Sequence, residues 1–156
     1  MFRYTTQQIV LHWTIVLLVI FQYLWNGPMG QAFGRLMRGG DKVLGPVALA
    51  HLVVGVTILA ITIWRLALRR RAPAAPHGRA GLDRVAVLIH ALLHIVLIAI
   101  PLAGLAAWFG GIGRAGDLHV LLTDLLLVLA GLHVAAALYH HFVLKDGLMN
   151  RLRPRR

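Results

Sequence analysis

Long apolar runs alternate with short polar or glycine-rich segments along this chain. A helix needs about 20 predominantly apolar residues to cross a bilayer, and four of the runs approach or exceed that length. They lie at about 9–25, 46–66, 84–108 and 118–143, and Pro101 is expected to kink the third. The pattern predicts an all-α membrane protein, in which residues 1–156 form a single bundle of four transmembrane helices.

The segments between these runs carry residues that stop or start helices. Asn26-Gly27-Pro28 is a strong breaker at the end of the first run, and a polar, glycine-rich stretch follows it. Residues 72–81 are interpreted as a plain linker, and residues 109–116 as a tight return. Trp25, Trp64 and Trp108 fall at the ends of runs, as aromatic anchors at the bilayer interface do.

Charge placement predicts the orientation of the bundle. The net charge is +11, but the basic residues sit at run ends and in loops without interleaved aromatic residues, which argues against nucleic-acid binding. Twelve of the sixteen Lys and Arg residues fall on the side that holds both termini and residues 65–84. The positive-inside rule then places both termini in the cytoplasm.

The candidate chemistry lies in histidines at membrane depth. Ionisable groups inside a bilayer are rare and usually functional. The chain has no cysteine, which excludes disulfides, iron–sulfur ligation and c-type haem attachment. Axial ligation of haem iron is the remaining chemistry that needs several buried imidazoles and few carboxylates. The histidines within or near the ends of the apolar runs are His12, His51, His90, His94, His119, His133 and His140.

Spacing and topology sort four of these histidines into two pairs. His119 and His133 are fourteen residues apart, about 21 Å along one helix and on nearly the same face. His51 shares the predicted periplasmic level with His119, and His12 shares the cytoplasmic level with His133. Two bis-histidine haems, one in each leaflet, follow from this arrangement. Gly55 and Gly131, near His51 and His133, suit close approach of a flat macrocycle or plain helix packing.

Other interpretations of the histidines stay open at this point. Zinc is the alternative metal, although closed zinc sites take four nearby ligands. His90 is predicted to have a supporting or substrate-binding role, whereas His94 is equally consistent with ordinary packing. His77 in the linker and His141 at the tail are interpreted as ordinary polar residues. A small transporter without redox chemistry is a further alternative, but the discontinuous repeats typical of transporters are missing from the sequence.

The chain resembles the bacterial cytochrome b561 family of four-helix di-haem membrane cytochromes over nearly its whole length. The resemblance rests on five stretches, of which the last is the most specific. They are Leu11-His12-Trp13, Ala50-His51 with Gly55, Trp64-Arg65-Leu66, His90 to Gly104 with Pro101, and Gly131 to Asp146 with a histidine fourteen residues upstream of His133.

The resemblance implies two haem b groups held by His12, His51, His119 and His133, with electron exchange to ubiquinone. In the branch that the chain most resembles, superoxide is oxidised at the periplasmic face and electrons pass to quinone. The alternative is a cytochrome b subunit that takes electrons from a periplasmic dehydrogenase or haem protein. The superoxide-oxidising relatives have a longer connection between the third and fourth spans than residues 109–117 here.

Two further residue sets complete the hypothesis of a superoxide:quinone oxidoreductase with outer-sphere electron transfer. A quinone pocket at the cytoplasmic side is predicted from His140, Arg65 and His90, because histidine suits proton delivery. An entrance that attracts small anions is predicted from the basic residues of the periplasmic side. These residues are Lys42, Arg35, Arg38 and Arg114.

Overall fold

The computed structural model describes residues 5–71 and 80–145, apart from the side chains of 69–71 and 80–83. Five α-helices and a final π-helical turn make up this part of the chain, and it contains no strand. Residues 72–79 of the predicted linker, with His77, and the basic tail beyond Lys145 lie outside the described residues. The last two residues of that predicted linker, 80 and 81, instead begin a helix. The helices are α1 (Thr6–Leu24), α2 (Gly27–Met37), α3 (Pro46–Arg71), α4 (Ala80–Gly110) and α5 (Gly113–Tyr139), and the turn is His140–Leu144.

Four of these helices are long and apolar enough to cross a membrane, which confirms the predicted fold class. The spans are Thr6–Leu24, Pro46–Leu68, Arg84–Gly110 and Gly113–Leu144. Large apolar side chains cover their outer faces: Leu17 is 66% exposed and Leu121 65%. Such exposure would be costly in water, but it is the surface expected where side chains contact lipid tails.

Helix α2 occupies much of the polar, glycine-rich stretch after the first span, where the sequence predicted no helix. Proline is well tolerated in the first turn of a helix, where its missing N–H has no partner to lose. Asn26-Gly27-Pro28 therefore ends α1 and also starts α2, with Pro28 in the first turn. Met29, Ala32, Phe33 and Leu36 recur at spacings of three and four residues, the pattern of an amphipathic helix.

The apolar face of α2 packs across one end of the bundle, hereafter the α2 end. Ala32 of α2, Ala48 of α3 and Trp108 of α4 form a buried cluster there, with Phe33 and Leu36 among its neighbours. Trp108 is only 3% exposed, so the prediction that it anchors the chain at the bilayer interface is wrong. The reason is that α2 covers it, whereas Trp25 and Trp64 are about half exposed.

A two-residue turn joins α4 to α5, so the return is even tighter than the sequence predicted. Gly111 has a φ of 64°, a left-handed conformation that glycine adopts without strain after a helix. Helix α5 then begins at Gly113, five residues before the predicted start of the fourth span. A second buried cluster, centred on Val96 of α4 and Leu126 and Leu129 of α5, holds these two helices together along their length.

The contact between α2 and α5 generates a stability prediction. A Cβ atom added at Gly116 would lie 2.5 Å from Cε1 of the Phe33 ring. We expect Gly116→Ala to lower the free energy of unfolding by about 1–3 kcal/mol, because the packed ring must shift. Thermal unfolding in detergent measures the effect. Gly30→Ala in α2 is the control, since no atom lies within 4 Å of its added Cβ, and it should be neutral or stabilising.

Candidate functional site

Four histidine rings meet in two layers inside the bundle. At the α2 end, His51 of α3 faces His119 of α5 with ring centroids 6.2 Å apart and planes inclined at 62°. At the opposite end, His12 of α1 faces His133 of α5 with centroids 6.5 Å apart and planes inclined at 71°. The fourteen-residue step from His119 to His133 separates the layers by about 21 Å along α5.

Both separations suit one metal ion bound between two imidazoles. A metal about 2.0 Å from each ring nitrogen, bound from opposite sides, would hold the two ring centroids about 6.3 Å apart. Within residues 5–71 and 80–145, no group of three or more His, Asp or Glu side chains is placed to hold a metal ion by itself. The donor set therefore fits a haem iron, whose porphyrin supplies the other ligands, better than a closed zinc site.

Local sequence around Pro101 shapes the position of the His119 ring. The Nδ1 atom of His119 donates a hydrogen bond to the carbonyl of Ile100, at 2.9 Å. A Cβ atom at Gly104 would lie 3.0 Å from that same Nδ1, so only glycine leaves the ring its place against α4. Because Nδ1 carries the proton, the other nitrogen keeps its lone pair for a metal, as in most histidine ligands.

Glycines flank the two layers in different ways. No protein atom lies within 4 Å of a Cβ added at Gly131, but this residue is exposed and lies about 200° around α5 from His133. The space over Gly55 is taken by the side-chain amide of Gln22, whose Nε2 lies 3.3 Å from an added Cβ. Neither of the two glycines singled out in the sequence therefore leaves open space between the paired rings.

The layer at the opposite end has a third imidazole. The His90 ring of α4 lies 5.0 Å from the His133 ring, with planes at 80°. His90 Nδ1 donates to the Ala86 carbonyl at 2.6 Å, and His94 Nδ1 donates to the His90 carbonyl at 2.5 Å. These bonds to the preceding helical turn hold both side chains against α4 and orient His90 towards the layer.

Of the predicted quinone residues, the structure brings Arg65 and His90 to the layer at the opposite end. The Arg65 guanidinium is close enough to His12 and His133 for its charge to act on both rings. His140 begins the π-helical turn, seven residues beyond His133, and its ring lies 6.4 Å from that of Tyr139. Single π-helical turns are frequent at functional sites.

The four predicted anion-attracting residues all lie at the α2 end and are exposed. Arg35 is in the last turn of α2, Arg38 caps that helix, and Arg114 is in the first turn of α5. Lys42 Nζ lies 5.5 Å from the Trp108 ring centroid and 5.1 Å from that of Phe109. This stacking of a cation over aromatic rings fixes one positive charge above the α4–α5 turn.

The sequence is similar to those of known membrane cytochromes over nearly its whole length. Residues 3–155 match the family profile described as "Prokaryotic cytochrome b561". Cytochrome b562 of Cereibacter sphaeroides is 35% identical, over 97% of this chain and 96% of that protein. The "Probable superoxide oxidase CybB" of Yersinia pestis is 27% identical, over 99% and 97%. "Cytochrome b561 homolog 1" of Escherichia coli K12 is 27% identical, over 99% and 98%.

The molecule is thus a multi-pass bacterial membrane cytochrome that transfers electrons by means of haem b. More specifically, the chain belongs to the prokaryotic cytochrome b561 family, as its sequence predicted.

The position of His119 generates a prediction about haem binding. Gly104→Ala would press on the ring, which lies 3.0 Å from the added Cβ, and weaken its bond to Ile100. We expect one haem to bind about 10- to 100-fold more weakly, the usual effect of disturbing the partner of a metal-bound histidine. Haem titration followed by visible absorbance measures this loss.

The exposed residue Leu102, two positions earlier on α4, provides the control. Leu102→Ala should leave haem affinity unchanged, because its side chain is 51% exposed. Alanine favours a helix over glycine by about 0.5–1 kcal/mol, so a loss in Gly104→Ala cannot come from helix propensity. Unchanged affinity in Gly104→Ala would contradict a ligand role for His119.

Proposed function

We propose that this protein carries electrons across the bacterial inner membrane through two haem b groups. His51 and His119 would hold one haem, and His12 and His133 the other. The observation that carries the proposal is the pair of histidine layers, each with ring centroids near 6.3 Å and each at one end of the same bundle. When bound, haem supplies a one-electron Fe(III)/Fe(II) couple with no open iron position, which favours outer-sphere transfer.

The orientation is part of the proposal. Basic residues favour the cytoplasmic side. Helix α1 begins, α3 ends, α4 begins and α5 ends at the opposite end of the bundle, and twelve of the sixteen Lys and Arg residues belong to the sequence segments that adjoin these helix ends. We therefore infer that the α2 end faces the periplasm. The His51–His119 layer then lies near the periplasmic surface, and the His12–His133 layer near the cytoplasmic one.

Superoxide is the proposed electron donor at the α2 end. Two superoxide anions would each lose one electron and leave as O₂. The chain's contribution is to attract the anion, and the positive residues there outnumber Asp41 and Asp117 by four to two. Lys42 is the best placed of these residues, because its ammonium group is held beside Phe109, where α4 ends.

Ubiquinone is the proposed acceptor at the opposite end. One quinone would take up two electrons and two protons to give quinol. His90 lies against the His133 ring, and the charge of Arg65 acts on both rings of the His12–His133 layer. His140 lies just beyond the end of α5, towards the proposed cytoplasmic surface. An imidazole can both accept and donate a proton, so His90 and His140 would pass protons inwards from the cytoplasm.

A second candidate is a cytochrome subunit that receives electrons from a periplasmic dehydrogenase or haem protein. Two observations favour it. The 35% identical relative is named only as a cytochrome b562, and the α4–α5 connection is just two residues long. In this case the exposed basic face of α2 would meet an acidic protein surface rather than a small anion.

Stopped-flow reduction of the purified, oxidised protein by a superoxide pulse separates the two candidates. The oxidoreductase predicts rapid haem reduction, followed by quinol formation at one quinol per two superoxide anions consumed. A carrier subunit predicts slow reduction by superoxide and no catalytic turnover. A chain that carries no haem after expression would exclude both.

Removal of one proposed ligand tests the assignment of histidines to haems. His119→Ala should remove one of two haems per chain and leave the absorbance of the other, because each layer has its own pair of rings. The pyridine haemochrome assay gives the count. His141→Ala, an exposed histidine beyond α5, is the control and should retain both haems. Two haems in the His119→Ala protein would disprove the assignment.

Charge reversal at the α2 end tests the donor. Lys42→Glu should slow reduction by superoxide about three- to tenfold at low ionic strength, because it repels the approaching anion. The difference should shrink as salt is added. Lys145→Glu, at the opposite end, is the matched control and should reduce normally. An equal effect of the two reversals would exclude attraction at the α2 end.

A further inference from the structure

A glutamine of α1 lies against one of the proposed haem ligands. Gln22 is within the first span, near the α2 end, and its side chain is half-buried. Its Nε2 atom donates a hydrogen bond to the backbone carbonyl of His51, at 2.9 Å. Amide side chains in hydrocarbon are costly unless all their polar atoms have hydrogen-bond partners. The partner of the other polar atom of this amide, Oε1, therefore has to be identified.

The contact fixes which way the amide faces. A carbonyl oxygen only accepts hydrogen bonds, so the NH₂ group of Gln22 must be the atom that points to it. The close approach is possible because Gly55, one turn after His51, has no Cβ; an added one would lie 3.3 Å from Nε2. The Oε1 atom of Gln22 therefore points away from that carbonyl.

Two complementary polar atoms are left over at this place. Gln22 Oε1 and His51 Nδ1 are both fully buried, and neither has a hydrogen-bond partner among the residues that the structure describes. One can only accept, and the other donates whenever the imidazole binds metal through Nε2. Across the same layer, His119 Nδ1 already has the Ile100 carbonyl as its acceptor. Among the described residues, the Nδ1 atom of His51 has no such acceptor.

We propose that Gln22 is the positioning residue of His51: its Oε1 accepts the Nδ1–H of His51 while its Nε2 holds the His51 carbonyl. This inference rests on the proposed function, because it takes His51 as a ligand through Nε2. Gln22 then fixes the tautomer and the angle of the ring. An acceptor on Nδ1–H also makes an imidazole a stronger electron donor, which stabilises Fe(III) relative to Fe(II).

The test is the midpoint potential of each haem in the intact, haem-loaded protein, measured by dye-mediated optical titration in detergent. Gln22→Leu removes the acceptor at nearly constant volume. We expect the reduction equilibrium of one haem to shift about fivefold towards the reduced form, or about 40 mV for one electron, with the other haem unchanged. The low-spin ferric EPR signal of that haem should shift as well.

Gln22→Glu provides the rescue. A protonated carboxyl group reproduces both hydrogen bonds, and an ionised one accepts more strongly, so the potential should equal that of the unaltered protein or lie below it. If Gln22→Leu loses a haem outright, its potential cannot be measured, and haem retention by Gln22→Glu becomes the test. Retention of that haem by Gln22→Glu would support the proposal, and its loss would overturn it.

Tyr23→Phe is the matched control, because it removes a different polar contact of the same helix. The Tyr23 hydroxyl donates to the Thr123 carbonyl of α5. If Gln22 only held α1 in place, both variants would shift the potential equally, and the proposal would be overturned. Unaltered potentials in Gln22→Leu would overturn it too. The proposed function fails separately, if the unaltered chain lacks a second haem or if His51→Ala keeps both.

Discussion

The structure depends on one constraint: a polar ring placed in hydrocarbon must find its partners within the protein, because no water is there to serve. The four histidines of the two layers face one another in pairs across helix boundaries. His12 and His133 join α1 to α5, and His51 and His119 join α3 to α5. The packing of α1 and α3 against α5 therefore also sets the geometry of the site.

Helix α4 has a supporting part in both layers without contributing to either pair. At the α2 end, Ile100 and Gly104 give the His119 ring an acceptor and a space. At the opposite end, His90 is held by Ala86 and turned against His133. At Gly104 the surface of α4 is indented, which leaves room for the His119 ring. At His90 it carries a polar side chain that is bonded to the preceding turn of the same helix. This helix thus orients the proposed ligands while remaining largely apolar.

The sequence was sufficient for features that depend on length and periodicity. Four apolar runs and a fourteen-residue histidine spacing predicted the four spans and the grouping of the rings. Helix α2 was missed although Met29, Ala32, Phe33 and Leu36 follow helical spacing, because a strong breaker can also start a helix. The burial of Trp108 and the contact of Gln22 with His51 were out of reach. Both depend on how one helix is rotated and shifted against another, which no single segment encodes.

Because α5 carries one histidine of each layer on a continuous helix, the two layers share a rigid backbone, whereas α1 and α3 each serve one of them. A small rotation of α5 about its axis would turn both rings in the same sense. Substitutions along its length would then disturb the two sites together, while those in α1 or α3 would act on one. The two proposed redox centres can therefore be adjusted independently only through the helices that α5 faces.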